Sequence, residues 1–186
     1  MSITLLALVG LPGSGKTTAS SYFKKEGMPV IRMGDITDNL LNKDKVPFNE
    51  ENEKKYREYI RIKYGKEIYA KLATPKISAE LKHKSLVIVD GLRSREELDY
   101  FKEKFPYIKV LYIDVPRKVR YQRLKHRLIR PLNVTEAKKR DKNEISRFKL
   151  TDIKKTAEYI IKNEESLSHF QRQLSLLVHK LRKNYD

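Results

Sequence analysis

The sequence predicts an α/β domain built on a parallel sheet, and three observations carry that expectation. Short apolar runs at Ile3 to Val9, Pro29 to Arg32, Leu86 to Val89, Val110 to Val115 and Tyr159 to Ile161 alternate with longer amphipathic stretches. Buried parallel strands joined by crossover helices require this alternation. At 186 residues the chain is long enough for one core around a sheet and short for two. No repeat, low-complexity tract or linker divides it, so residues 1–186 read as a single domain.

The elements follow in order. The run Ile3 to Val9 leads into a glycine-rich turn, and the first helix opens at Lys16 and ends near Glu26, where Gly27 and Pro29 stop it. A second helical stretch begins near Asp35. Asn49 to Leu81 reads as one or two helices interrupted around Gly65 and Thr74-Pro75. Arg95 to Phe105 is a helix ended by Pro106, and Arg117 to Leu128 is entered through Pro116, a residue suited to a first turn. Beyond Arg130-Pro131 and Leu132-Asn133, a polar helix is expected from Thr135 to about Arg147. The chain closes on Ser166 to Lys183, where Leu167, Phe170, Leu174, Leu177, Val178 and Leu181 recur at helical spacing.

Composition narrows the function classes. The absence of cysteine removes disulfide frameworks and cysteine-ligated metals and favours a cytoplasmic chain. The first apolar run is too short for a membrane span and lacks the basic flank of a signal peptide, so no membrane partner is expected. Lys plus Arg number 41 against 24 Asp plus Glu, a formal charge of +17 that points to polyanionic partners. The four histidines show no metal-ligand spacing and read as structural.

Chemistry enters at Gly10-Leu11-Pro12-Gly13-Ser14-Gly15-Lys16-Thr17, which meets the pattern G-x-x-x-x-G-K-[ST] directly after an apolar strand and at the start of a helix. Successive backbone N–H groups must turn inward around a phosphate, and a Cβ at Gly10, Gly13 or Gly15 would obstruct the turn or the ligand. The helix N-terminus adds partial positive charge. Lys16 is expected to reach the β and γ phosphates of ATP, Thr17 to ligate Mg²⁺, and Thr18 to complete the nucleotide-binding set.

Other strand ends supply further candidates. Leu86-Val87-Ile88-Val89-Asp90 ends in a carboxylate, and beside a phosphate loop Asp90 is expected near the metal's water shell; alone it would read as a cap or turn residue. Gly91 and Arg93 follow at the sheet's C-terminal edge, where open parallel sheets bind ligands and a guanidinium can grip a phosphate with paired donors. Gly34 permits close backbone approach, and Asp35 either caps the next helix or faces an acceptor substrate. An alcohol acceptor would give Asp35 the role of general base; an ionised phosphate acceptor would need none.

Arg117, Arg120, Arg123, Arg127 and Arg130 lie three or four apart, and residues 117–155 hold fifteen Lys or Arg against four acids. Such a face either stabilises the charge of a phosphoryl in transfer, with Arg123, Arg127 and Arg140 the candidates, or is a solvated basic face, or binds RNA.

These landmarks, together with Met33-Gly34-Asp35, Asp90-Gly91-Leu92-Arg93-Ser94, Arg123-Leu124 with Arg127, Arg140-Asp141 with Glu144, and Ala157 to Asn163, resemble an archaeal adenylate-kinase-related P-loop family. That family is of nucleoside monophosphate kinase type and close to dephospho-CoA kinase. The resemblance implies a three-layer P-loop NTPase fold: a five-stranded parallel sheet in order 2-3-1-4-5, helices on both faces, an acceptor-binding helical insertion at about 35–81 and a small lid at about 127–140. It also implies transfer of the γ-phosphoryl of Mg-ATP to a nucleotide or nucleotide-like acceptor, and contact of Asn163 with the nucleotide. Asp38 stands where adenylate kinases usually carry an arginine. The alternatives are an ATP-dependent RNA- or ribosome-associated binding module and a polynucleotide kinase. A guanine-reading Asn-Lys-x-Asp is missing from the late part of the chain, which argues against a GTPase.

Overall fold

A computed structural model describes residues 4–128 and 131–183; Ile3 and Arg130, assigned above to a strand and to the arginine run, lie outside them. The strands are β1 (Thr4–Val9), β2 (Val30–Arg32), β3 (Leu86–Asp90), β4 (Lys109–Asp114) and β5 (Tyr159–Lys162). They pair in parallel in the order β2-β3-β1-β4-β5, with Leu8 opposite Asp90 across β1 and β3.

Both faces of the sheet are covered, which explains the uninterrupted apolar strands. On one side Leu6, Leu8, Ile88, Leu111 and Ile113 meet Ala19 and Phe23 of α1 (Lys16–Lys25) and Phe170, Leu174 and Val178 of α9 (Leu167–Lys183). On the other, Leu5, Ala7, Val9, Val87, Val89 and Tyr112 pack under four helices. These are α3 (Glu50–Tyr64), α4 (Ile68–Leu81), α5 (Arg95–Lys104) and α8 (Leu150–Lys155). Alternate residues of β1 therefore serve opposite layers, as the two-residue strand period dictates.

Two excursions rise from this core. Between β2 and β3 the chain forms α2 (Gly34–Lys43), then α3 and α4. Between β4 and β5 it forms α6 (Arg117–His126), α7 (Val134–Ser146) and α8. Leu124, Leu132 and Ala137 make a separate small core where α7 folds back on α6. Local signals fix the helix starts: Ser94 with Glu97 and Asn133 with Glu136 form reciprocal capping boxes at α5 and α7.

Three boundaries differ from expectation. The helix expected to break at Thr74-Pro75 is continuous as α4, with Pro75 inside it. Pro75 and Lys71 are exposed, so the carbonyl deprived of its N–H partner lies on the wet side, while buried Tyr69, Ala70, Ala73, Ile77 and Leu81 anchor the inner face. Packing outweighs the local penalty. α6 ends at His126 rather than Leu128. α8 was not anticipated; it is six residues long and entered through Lys149 in the left-handed region, which gives no periodic signal to read.

Candidate active site

The loop between β1 and α1 closes as its glycines demand. Gly13 and Gly15 hold φ of 80° and 102°. A Cβ on Gly13 would stand 2.7 Å from the Arg120 carbonyl, and one on Gly15 would collide with the Asn163 amide. A Cβ on Gly10 would meet Ser14 Oγ at 2.6 Å and the Ile113 carbonyl at 2.8 Å. The loop is thus backed against β4, α6 and the end of β5, leaving its concave side for a ligand. Asn163 is buried beneath it and donates through Nδ2 to the Ser14 carbonyl at 2.8 Å.

Lys16 folds its ammonium back onto the loop, donating to the Gly10 carbonyl at 2.6 Å and to that of Leu11 at 3.3 Å. Burial lowers its pKa to about 8, Arg93 and Arg140 push the same way, and Asp90 and Glu144 oppose them. Asp90 is buried at the end of β3 and accepts from Ser20 Oγ at 2.8 Å. Thr17 lies one helical turn before Ser20, on the same side of α1. Beside β3, Gly91 holds φ of 107°, which turns the chain toward Arg93.

Around Lys16 the structure gathers charges from four elements. Arg93, after β3, places its guanidinium 3.4 Å from Glu144 Oε1 of α7. Arg140, one turn earlier on α7, donates to Glu50 Oε2 at 2.6 Å. Arg57 of α3 donates to Glu50 Oε1 at 2.9 Å and Glu53 Oε2 at 3.0 Å. Burial lowers the Arg140 pKa to about 10, helped by Arg93 and opposed by Glu50 and Glu144. For Glu144 burial works upward, but Arg93, Arg140, Lys16 and Arg57 together hold the carboxyl below its usual range. Lys16, Arg93, Arg140 and Arg57 thus share the site with Asp90, Glu144, Glu50 and Glu53, and the buried Arg140 Nε still lacks a hydrogen-bond partner, a donor that suits an anionic ligand.

A second layer holds the first. Fully buried Glu97 accepts the Arg93 backbone N–H at 2.8 Å through Oε2 and the Arg61 guanidinium at 2.7 Å through Oε1. Arg61 in turn lies over the Tyr69 ring, 4.4 Å from its centroid. Arg120 is clamped by both oxygens of Asp141, at 2.8 and 2.6 Å, and also donates to the Pro12 carbonyl at 3.0 Å.

Not every expected residue joins this cluster. Asp35 is 52% exposed and held by Arg32 at 2.6 Å, and Asp38 pairs with the same guanidinium. It sits in the first turn of α2, inside the helix rather than at its cap, and beside Gly34. Arg123 and Arg127 are half-buried at the end of α6, and the guanidiniums that act on Lys16 are those of Arg93 and Arg140. Glu50, Arg57, Arg61, Glu97 and Arg120 were missed. The Ser94-x-x-Glu97 capping box and the Glu50, Glu53, Arg57 spacing on one helical face were the available signals, whereas nothing local separates Arg120 from its neighbouring arginines.

The fold and the phosphate loop together define a P-loop domain of the kinase-like kind. The chain belongs to the AAA-domain family, whose model matches residues 6–148, and to the UPF0200 proteins of archaea. It is 32% identical to UPF0200 protein PH1008 of Pyrococcus horikoshii over 97% of this chain and 99% of that protein. It is 35% identical to the UPF0200 protein of Thermococcus sibiricus over 95% of each. Among solved structures it resembles a shikimate kinase from Bacteroides thetaiotaomicron (TM-score 0.62, 15% identity, 96% of this chain and 98% of that one). It also resembles a gluconokinase from Sinorhizobium meliloti 1021 (TM-score 0.53, 15% identity, 98% of each). At such identities the likeness establishes the fold. No helix among the described residues is long and apolar enough to cross a membrane.

Proposed function

We propose that this protein is an ATP-dependent phosphotransferase that moves the γ-phosphoryl group to a small anionic acceptor of nucleotide or nucleotide-like character. The observation that carries the proposal is the convergence of Lys16 from the loop, Arg93 from the sheet edge, Arg57 from α3 and Arg140 from α7 on one site. Phosphoryl transfer needs positioning and fixed positive charge far more than covalent chemistry. Here the cations come from both excursions at once, so filling the site with an anion ties the acceptor side and the lid side to the donor loop.

The loop fits a triphosphate, because its glycines let the backbone press against Ile113, Arg120 and Asn163 behind it, which leaves the concave side to a ligand. Backbone N–H groups of the loop between Gly10 and Thr17, Pro12 having none, would hold the phosphates, Lys16 would exchange its carbonyl partners for phosphate oxygens, and Thr18 and the buried Asn163 would keep the loop and α1 in place. Thr17 and Asp90 would hold Mg²⁺. No cluster of three His, Cys, Asp or Glu exists among the described residues, which suits an ion carried in by phosphates and water rather than by a protein cage. When bound, Mg²⁺ supplies charge neutralisation of the β and γ oxygens.

Gly34, Asp35 and Gly91 frame the acceptor end, with Asp35 and Asp38 fixing Arg32 at its rim. Arg123 on α6 and Arg127 just beyond it would approach the phosphates when nucleotide is bound. A second reading rests on the outward lysines of the basic segment 117–155: Lys118, Lys125, Lys138, Lys139 and Lys142 are exposed, an arrangement suited to RNA.

The decisive assay offers labelled Mg-ATP with AMP, CMP, dTMP, dephospho-CoA and a 5′-hydroxyl RNA oligonucleotide. Label should pass to a small acceptor, and the Lys16→Ala variant should transfer none while unfolding at the wild-type temperature. RNA binding that falls steeply with salt, with no transfer to anything, would replace the kinase reading by the binding module.

A further inference from the structure

The carboxylates of the site differ in what they still have to give. Glu50 uses Oε1 on Arg57 and Oε2 on Arg140. Glu97 uses one oxygen on Arg61 and the other on the Arg93 and Ser94 N–H groups. Both oxygens of Asp141 are taken by Arg120, and Asp90 receives the Ser20 hydroxyl. Asp35 is exposed at the rim and bound to Arg32. Glu144 departs from these: Oε1 faces Arg93 at 3.4 Å, and Oε2 is buried with no hydrogen-bond partner.

An ionised carboxylate accepts and cannot donate, so a buried oxygen of this kind is satisfied only by a proton donor. Its surroundings keep it ionised, since Arg93, Arg140, Lys16 and Arg57 all favour the charged form against the effect of burial. An acceptor phosphate, already ionised near neutral pH, brings only oxygens and would repel Glu144. A hydroxyl fits. Beside it, Arg140 Nε is buried and likewise lacks a partner, so the same pocket offers a donor for an anionic group and an acceptor for an O–H.

We propose, building on the phosphotransferase reading, that the acceptor reacts through an alcohol hydroxyl, that Glu144 Oε2 accepts its proton, and that the arginines hold a separate anionic group of the same molecule. The acceptor oxygen forms a bond to the γ-phosphorus. The bond from that phosphorus to the β,γ-bridging oxygen breaks with its electron pair, releasing ADP, and the hydroxyl proton moves to Glu144 and then to water. A weak base suffices, because in a loose transition state the hydroxyl becomes strongly acidic only as the new bond forms.

The test has two arms. In the first, products of the acceptor panel, extended with hydroxy acids, are read by phosphorus NMR, which distinguishes a phosphate ester from a phosphoanhydride. Ester formation is expected; conversion of nucleoside monophosphates to diphosphates as the main reaction overturns the inference and leaves the kinase reading standing. In the second, Glu144→Gln and Glu144→Asp are compared for transfer and for slow hydrolysis of Mg-ATP, in which water is the hydroxyl acceptor. Glu144→Gln should lose about a hundredfold in rate with Mg-ATP affinity and acceptor KM within a few-fold, and Glu144→Asp should retain part of the rate. A wild-type rate in Glu144→Gln, or a loss confined to KM, overturns the role. Wild-type protein that binds Mg-ATP but neither transfers nor hydrolyses it removes the phosphotransferase reading and this inference together.

Discussion

Arg120 and Arg140 come from the same basic stretch, both are largely buried, and they end in opposite situations. Arg120 meets the two oxygens of Asp141 and the Pro12 and Val115 carbonyls, so its donors are spent within the protein. Arg140 meets one oxygen of Glu50, keeps its Nε buried and without a partner, and has its pKa lowered to about 10 chiefly by burial, with Arg93 next. A satisfied buried ion pair holds structure, whereas an unsatisfied cation among other cations is held ready for something that arrives. The two residues separate the scaffold of the α6–α7 excursion from its open donors.

Breaking the scaffold side should have the largest effect. Arg120→Ala leaves Asp141 buried and uncompensated and frees the loop at Pro12, and is expected to cost about 3–5 kcal/mol of stability, measured by denaturant unfolding. A loss under about 1 kcal/mol would mean that the pair is not structural. Arg140→Ala should show the converse: phosphoryl transfer falls by about a hundredfold or more, while stability changes by no more than about 1 kcal/mol, because its ion pair with Glu50 is partly wet. Equal stability losses in the two variants would erase the distinction.

A milder effect comes from pH. Lys16 binds phosphate as the ammonium, and its pKa of about 8 in the free protein means that Mg-ATP affinity is fully present below that value and falls as pH rises through it. Titrations between about pH 7 and pH 9.5 should show Kd rising toward tenfold per unit above pH 8, with proton uptake on binding. Arg140, lowered only to about 10, stays mostly charged across that range. A flat profile would show that the lysine is less buried than its packing indicates.

Local sequence revealed the donor half of this site and hid much of the acceptor half, for a physical reason. Gly10 to Thr17 is contiguous, and its glycines are needed by backbone geometry that any reader of the chain can reconstruct. The placement of Asp90 and Arg93 followed from the apolar run before them, and strand order from the family resemblance. Arg140 stood among the candidates and Glu144 among the landmarks, but Glu50 and Arg57 on α3, some 90 positions from them, look like ordinary surface charges until α7 packs against α3. The same holds for Pro75, whose helix survives through packing that local sequence does not display. Asp35, legible as a candidate base or cap, is half exposed and tied to Arg32.

The account rests most directly on the uptake of a triphosphate by the loop around Lys16. Calorimetric titration of Mg-ATP near pH 7 into wild-type protein and into Lys16→Ala tests it. Saturable binding at one site in the wild type, and none in a variant that unfolds at the same temperature, is the expected result. Absence of uptake by folded wild-type protein, or equal affinity in the two, would contradict it.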